Sequence, residues 1–243
     1  MARTQLILLV AAAVGILAAI SLGNWQTRRG DDKLGLQAQA DAAERAEPVD
    51  IVASPSSIEQ VAAALPRRVR ISGVFDPAGT IYLDNRSLNG VAGVYVLTPL
   101  VIRSDLPAVL VDRGWKARDA LDRTRVDIAS PATGVVRLQG LAVSRPSTLL
   151  ELGGGQEHRV PGLWQNLDYA AYEQSTGRRV ARFVVRQTAD AGTDNAADGL
   201  RREWPRPATG VETHRGYAFQ WYSLAALIAL GIIGLAATRW RRR

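Results

Sequence analysis

The stretch GYAFQWYSLAALIALGIIGLAAT, residues 216–238, runs for 23 residues without a charged side chain. A second uncharged stretch, TQLILLVAAAVGILAAISLGN, covers residues 4–24 near the other end of the chain. At about 1.5 Å per residue, a helix formed by either stretch is long enough to cross a hydrocarbon core of about 30 Å. The sequence therefore predicts transmembrane helices over residues 4–24 and 216–238, with an extracytoplasmic domain over residues 25–213 between them.

The first stretch has an alternative interpretation as a cleaved signal peptide, because Ala19-Ile20-Ser21 resembles a small-residue cleavage site. Two features favour a retained helix. The stretch is long for the apolar part of a signal peptide, and Ala11, Gly15 and Ala19 recur at the four-residue spacing that lets membrane helices approach closely. Ala225 and Ala229 repeat that spacing in the second stretch. We expect the two helices to pack against each other.

The formal net charge of +7 and the pI near 10.3 come largely from the two ends of the chain. Five arginines there have no acidic neighbour, and without them the chain has 25 basic and 23 acidic residues, a balance of +2. Arginine clusters mark the cytoplasmic side of a membrane, so both termini are predicted to be cytoplasmic. The charge is thus a topology signal and does not predict a nucleic-acid partner. No mitochondrial targeting region precedes the first stretch, which favours a bacterial inner membrane.

The central domain is predicted to be β-rich. Six short apolar-rich segments, of which the first alternates apolar and polar residues, are bounded by turn residues and begin near Arg68, Thr80, Val94, Ala108, Val135 and Arg182. Their short connections predict a six-stranded antiparallel sheet rolled into a barrel or a sandwich. Two short helices are expected beside it. One carries a capping-box match at Ser57 and Gln60, and the other begins at Asp168 and ends at Gly177.

Catalytic signatures are absent from the sequence. The chain has no cysteine, which excludes disulfides, iron–sulfur clusters and cysteine proteases. It also lacks phosphate-loop, dinucleotide-binding, zinc-protease and serine-hydrolase motifs. A periplasmic hydrolase would have to recruit His158 or His214, and His158 follows the Gly153–Gly155 triplet in an ordinary loop pattern. The sequence therefore predicts a protein that is not an enzyme.

His214 stands at the entrance to the second apolar stretch. In a helix, Tyr217 and Trp221 share its face, at three and seven residues further on. Together with Trp25 at the end of the first stretch, these aromatic residues are typical of the boundary between membrane and water. The ordinary interpretation of such a histidine is structural. If the helices pack, however, the imidazole lies near Trp25 and Arg28.

Four separate motifs resemble the Surfeit-locus-one family of cytochrome c oxidase assembly proteins. They occur in the family's order and span nearly the whole chain. The motifs are LGNWQTRRGDDKL at residues 22–34, GVFDPAGTIYLDNRSLNGVAGVYVLTPL at 73–100, VLVDRGW at 109–115 and HRGYAFQWYSLA at 214–225. One departure is Glu212, where the family often has asparagine.

The resemblance implies an assembly factor that handles or delivers haem a to the catalytic subunit of a haem-copper oxidase, with haem a synthase as a further partner. It implies that His214 is the iron ligand. The aromatic residues Tyr217, Trp221 and Trp25 are then expected to flank the haem, and Arg28, Arg86 and Arg113 are candidates to meet its propionates. The alternative is a membrane scaffold that stabilises an oxidase assembly intermediate by protein contact alone. Haem content separates the two.

Overall fold

The computed structural model describes residues 2–119, 130–146, 162–188, 198–204 and 210–240. The chain divides into two compact units, one of Met1–Ala40 with Arg206–Arg243 and the other of Asp41–Pro205. We refer to the described residues of the first unit as the helix pair and to those of the second as the sheet domain. His158 and the Gly153–Gly155 triplet lie outside the described residues.

The helix pair is formed by two long helices, α1 (Ala2–Arg45) and α4 (Val211–Trp240). Both are long and apolar enough to cross a membrane, and most of their apolar side chains are exposed. Helix α1 has 44 residues and continues unbroken through Gly30 and Gly35. The helix thus extends well past its uncharged stretch.

The sheet domain contains all six predicted strands and two more. Among the described residues the strands are β1 (Val49–Ile51), β2 (Arg67–Phe75), β3 (Ile81–Leu88), β4 (Val91–Val101), β5 (Ala108–Ala117), β6 (Val135–Val143), β7 (Leu163–Trp164) and β8 (Val180–Gln187). The additional strands β1 and β7 have three and two residues, too few for alternation to reveal them. Strands β3 and β4 form a hairpin because Asn89 and Gly90, both with positive φ, make its two-residue turn.

The prediction of a six-stranded antiparallel sheet is wrong in strand number and in strand direction. The eight strands form one mixed sheet in the order β1-β2-β6-β8-β5-β4-β3-β7. Three of its pairs are parallel: β1 with β2, β3 with β7 and β5 with β8. The sequence pattern identifies strands and the short turns between them, whereas β3 and β5 take their parallel partners from distant parts of the chain.

An additional pairing between β2 and β4 joins the sheet into a ring of five strands, β2-β6-β8-β5-β4. This closure supports the barrel rather than the sandwich. Strand β5 is buried on both faces. Val109 and Val111 belong to one apolar cluster with Phe183, and Ala108 and Leu110 belong to another with Tyr172. Burial on both faces explains why β5 shows a continuous apolar run instead of alternation.

Helices α2 (Pro55–Ala63) and α3 (Tyr169–Thr176) flank the sheet. Asp168 caps α3 by accepting a hydrogen bond from the Ala171 N–H, and Gly177 ends it at φ 67°, as predicted. Helix α2 begins earlier than the capping-box match indicated, because Ser54 is its N-cap and accepts from the Ser57 N–H. The Ser57 hydroxyl instead accepts a hydrogen bond from the Val52 N–H.

Candidate functional site

The two long helices pack in opposite directions along a seam that combines small residues with larger polar and apolar ones. On α1 the seam contains Ala19, Gly23, Gln26, Gly30 and Lys33, at alternating spacings of four and three. On α4 it contains Val211, His214, Ala218, Trp221 and Ala225, also at alternating spacings. These are the core positions of a seven-residue repeat. The predicted four-residue pattern holds for Gly15 and Ala19, whereas Ala11 is exposed and outside the seam.

Glycines set how closely the helices approach. A Cβ added at Gly30 would stand 3.7 Å from the His214 Cβ, and one added at Gly15 would stand 3.6 Å from the Ile228 Cδ1. At Gly23 an added Cβ would meet the Tyr222 ring at 2.6 Å. The contacts at Gly30 and Gly15 are ordinary van der Waals distances, so of these three positions only Gly23 has no room for a side chain.

His214 lies in the first turn of α4, half-buried in the seam. Its Nδ1 is 2.7 Å from the Oε1 of Gln26 on α1. An amide oxygen can only accept a hydrogen bond, so Nδ1 carries the hydrogen and donates it. In this tautomer the other ring nitrogen, Nε2, has its lone pair available, and no atom in the described part of the chain pairs with it. The arrangement matches that of metal-binding histidines, whose second nitrogen is fixed by an outer hydrogen bond.

One side of the seam is closed by polar contacts. The Tyr222 hydroxyl donates to Asn24 Oδ1 at 2.8 Å and lies 3.5 Å from the Thr27 hydroxyl, which donates to the Gly23 carbonyl. Thr27 and Tyr222 thus flank the same side of the helix pair. By the seven-residue spacing, Arg29 and Tyr217 flank the other side, next to Gly30 and His214.

The aromatic residues predicted for the site differ in position. Tyr217 is 49% exposed beside the seam, Trp25 is 57% exposed, and Trp221 is half-buried within the seam itself, one repeat after His214. Arg28 is exposed and lies two residues from both Gln26 and Gly30, which places it on the side of α1 away from the seam. Arg29, by contrast, flanks the seam beside Gly30, and Lys33 lies within the seam.

The two other predicted arginines belong to the sheet domain, where each lies at a β-bulge. The register between β5 and β4 shifts by one residue between Asp112 and Gly114. Arg113 is the residue of β5 that has no partner on β4 there. Its Nη2 donates to Asp198 Oδ2 at 3.1 Å, and only 3% of the side chain is exposed. Burial lowers the pKa of Arg113, and the charge of Asp198 acts in the opposite direction. The internal ion pair gives Arg113 a partner within its own domain.

Arg86 follows a bulge in β3 at which Asn85 has φ 56°. The residue is 4% exposed, and its Nη2 donates to the Gln165 carbonyl at 2.7 Å. Its own carbonyl accepts a hydrogen bond from the Trp115 indole at 2.8 Å. Bulges redirect side chains, and both arginines at these bulges find their partners within the sheet domain.

Asp112 is a buried acid that the sequence did not identify as distinctive. It is fully buried, and neither carboxylate oxygen has a hydrogen-bond partner of ordinary geometry among the described residues. Burial raises its pKa to about 8, against the opposing effects of Arg186, the Gly114 N–H and Arg86. Asp112 is therefore protonated at neutral pH, as a buried acid without a close counter-ion should be.

No group of three or more His, Cys, Asp and Glu residues able to hold a metal ion occurs among the described residues. A cavity of about 490 Å³ lies between β1 and the first turn of α2, but its walls include none of the four motifs. The available ring nitrogen of His214 is thus the strongest candidate for ligand binding in the described part of the chain. Sequence reasoning found His214, and it included Gln26 in the first motif but assigned it no role at the site.

Comparison with known proteins gives a consistent result. The family model described as SURF1 family matches residues 13–226. Surfeit locus protein 1 of Homo sapiens is 24% identical over 230 residues, which cover 86% of this chain and 71% of the human protein. The Rattus norvegicus protein of the same name is 25% identical over 229 residues, 86% of this chain and 69% of that protein. The Arabidopsis thaliana protein is 30% identical over 131 residues, which cover 50% of this chain and 36% of the plant protein.

Proposed function

Because the chain belongs to the SURF1 family, we propose that it is an assembly factor for a haem-copper cytochrome c oxidase. In this proposal the chain binds haem a through His214, protects it near the membrane surface and passes it to the catalytic subunit of the oxidase. Haem a is cargo, so the chain acts as a chaperone with no turnover of its own. Haem a synthase is the proposed source of the cargo.

The observation that carries the proposal is the hydrogen bond from His214 Nδ1 to Gln26. With Nδ1 as the donor, the lone pair of a neutral imidazole is on Nε2, and a neutral imidazole is the form that binds haem iron. The ring is only half-buried, so a large planar ligand has access to it. Exposed aromatic side chains nearby on the same helices, Tyr217 and Trp25, favour contact with an apolar macrocycle.

The membrane placement is part of the proposal. Helices α1 and α4 would span a bacterial inner membrane with both termini in the cytoplasm and the sheet domain in the periplasm. Their exposed apolar side chains and the arginines at both ends of the chain support this orientation. His214, two residues before the uncharged stretch, would then lie at the periplasmic boundary of the bilayer.

This topology can be tested by labelling. The chain has no cysteine, so Ser87→Cys introduces one exposed thiol in β3 of the sheet domain. A membrane-impermeant maleimide added to intact spheroplasts should label it fully. Labelling only after the membrane is broken would place the sheet domain in the cytoplasm and contradict the orientation.

The arginines divide into two groups in this proposal. Arg29 borders His214 and is the residue we propose for the haem propionates. Arg28, on the other side of α1, serves as a matched control. Arg86 and Arg113 have partners within the sheet domain, and we propose that they shape the surface that the oxidase subunit contacts. The change Arg29→Gln should weaken haem binding more than Arg28→Gln does, and equal effects would contradict the assignment.

The central test uses the two histidines of the chain. Protein is purified from cells that make haem a, and the haem bound per chain is measured for wild type, His214→Ala and His158→Ala. We expect His214→Ala to lose most of the haem and His158→Ala to keep it. Equal haem in all three would show that His214 is not the ligand and would favour the scaffold that acts by protein contact alone.

A further inference from the structure

The hydrogen bond between His214 and Gln26 joins the two helices through residues that lie 188 positions apart in sequence. Its length of 2.7 Å is at the short end of the ordinary range, and Nδ1 is the donor because the amide oxygen has no hydrogen. A histidine without such a partner distributes its hydrogen between both ring nitrogens. Gln26 therefore does more than hold α4 against α1, because it selects which nitrogen carries the hydrogen.

Gln26 is held in place by its neighbours in the seam. Gly23 precedes it by three residues and Gly30 follows it by four, and both are buried against α4. A Cβ added at Gly30 would lie 3.7 Å from the His214 Cβ. The two backbones are thus close enough for a glutamine side chain to reach the ring directly.

We propose that Gln26 is the positioning residue of the haem site: its Oε1 holds His214 in the Nδ1–H tautomer and orients the Nε2 lone pair outward to bind iron. This inference rests on the proposed function, because it assumes that His214 is the ligand. It adds a second residue, on the other helix, that sets the tautomer, the ring orientation and the electron donation of that ligand. Outer partners of metal-binding histidines typically change affinity about 10- to 100-fold when removed.

The first test needs no haem. The protein is labelled with ¹⁵N-histidine, and the ring nitrogens are observed by NMR in detergent at mildly alkaline pH. We expect the wild type to show Nδ1 protonated at His214. Gln26→Leu should move the signal toward the Nε2–H form, and Gln26→Glu, which keeps an oxygen acceptor, should retain Nδ1–H. His158 gives an internal reference signal that neither change should shift.

The second test measures bound haem. Gln26→Leu should weaken haem affinity at least about tenfold and raise the reduction potential, because the ligand loses the acceptor that increases its electron donation. Gln26→Glu should keep the affinity and lower the potential, since a carboxylate accepts the Nδ1 hydrogen more strongly. Gln220→Leu, at an exposed position on α4, is the matched control and should leave both quantities unchanged.

The outcomes separate the two proposals. If His214→Ala keeps its haem, the proposed function fails. If His214→Ala loses its haem while Gln26→Leu matches the wild type in NMR spectrum, affinity and potential, the proposed function stands and the role of Gln26 is overturned. A Gln26→Glu protein that behaves like Gln26→Leu would also overturn it, because the oxygen acceptor would then have no effect.

Discussion

The helix pair and the sheet domain each carry two of the four family motifs, but they use the polar residues of those motifs differently. In the sheet domain, Arg86 and Arg113 are almost fully buried and bonded to neighbours in the same domain. In the helix pair, His214 is half-buried and uses one ring nitrogen for Gln26. The comparison indicates that the motif arginines of the sheet build the domain, whereas the motif histidine of the helices is available to a ligand.

The two regions also differ in what holds them together. The sheet domain has two clusters of buried apolar side chains, one on each face of β5 and β8. The helix pair directs many large apolar side chains outward, including Leu9, Leu17, Leu227 and Leu230. Such side chains are stable in lipid, where helices associate through close packing and hydrogen bonds rather than through the hydrophobic effect. Changes in the sheet should therefore cost more stability than changes in the seam.

The largest effect is expected from removing the counter-ion of Arg113. Asp198 accepts hydrogen bonds from Arg113, from Arg202 at 2.7 Å and from the Leu200 N–H, and it is itself buried. The change Asp198→Ala leaves two buried guanidinium groups without a carboxylate and should lower the free energy of unfolding by about 3–5 kcal/mol. Chemical denaturation of the full chain in detergent, followed by tryptophan fluorescence, measures this loss.

An exposed ion pair of the same domain provides the control. Asp50 pairs with Arg70 at 2.9 Å near the sheet edge, where both side chains are exposed. Asp50→Ala should cost less than about 1 kcal/mol, because water screens the pair. Equal losses from the two changes would contradict the view that the buried arginines hold the sheet domain together.

The next effect concerns the register of the helix pair. Since the native chain has no cysteine, Gly30→Cys with His214→Cys introduces one pair at a Cβ separation suited to a disulfide. The effective concentration of the two thiols, measured in a glutathione buffer, should exceed that of Gly35→Cys with His214→Cys by at least about a hundredfold. Gly35 lies on the same helix with no side chain near it. Similar values for both pairs would refute the seam.

Asp112 predicts a pH dependence that belongs to the sheet domain alone. Its pKa is about 8 in the folded chain and about 3.8 when unfolded, so unfolding releases a proton between these pH values. Stability is then highest at low pH within this window and falls as pH rises, by up to about 1.4 kcal/mol per pH unit. Asp112→Asn cannot ionise and should remove this contribution to the slope. Denaturation at several pH values between about 5 and 8 compares the two proteins, and identical slopes would contradict the buried acid.

A smaller effect is expected from replacing glycine by alanine, which should destabilise the sheet domain at one position and stabilise the helix pair at another. Gly177 ends α3 at φ 67°, with open space around it, so Gly177→Ala should cost about 1 kcal/mol through backbone strain alone. Gly35 lies inside α1, also in open space, and Gly35→Ala should stabilise that helix by up to about 1 kcal/mol. Thermal unfolding monitored by circular dichroism measures both changes. If both substitutions stabilise the protein, or both destabilise it, one of the two backbone conformations is wrong.

The features that sequence reasoning predicted correctly are those with local causes. The six strands, the Asp168 cap and the Gly177 end of α3 follow from alternation and from turn residues. The parallel partner of β5 was not predictable in this way, because nothing within β5 or β8 specifies which distant strand lies beside it. The burial of Arg86 and Arg113 was missed for a similar reason, since bulges depend on the register between two strands.

The candidate site shows the same division. His214 and its aromatic neighbours were found from their place at the end of an apolar stretch. Gln26 was assigned no role there, because its importance comes from a contact across the helix pair. The seven-residue spacing of Ala19, Gln26 and Lys33 was present in the sequence, but only a partner helix gives that spacing a meaning. The contribution of the polar contacts to helix association therefore has to be measured on the helix pair itself.

The smallest expected effect is that of the hydrogen bond on the side of the seam away from Arg29. Tyr222→Phe removes the bond from the Tyr222 hydroxyl to Asn24 Oδ1 and should weaken helix association by about 0.6 kcal/mol, the average for such bonds in membranes. In the Gly30→Cys, His214→Cys background, this loss should lower the effective concentration of the thiols about threefold. Tyr217→Phe, whose hydroxyl has no hydrogen bond within the described residues, should leave it unchanged. If the two changes act equally, the hydrogen bond from Tyr222 to Asn24 does not help to hold the helices together.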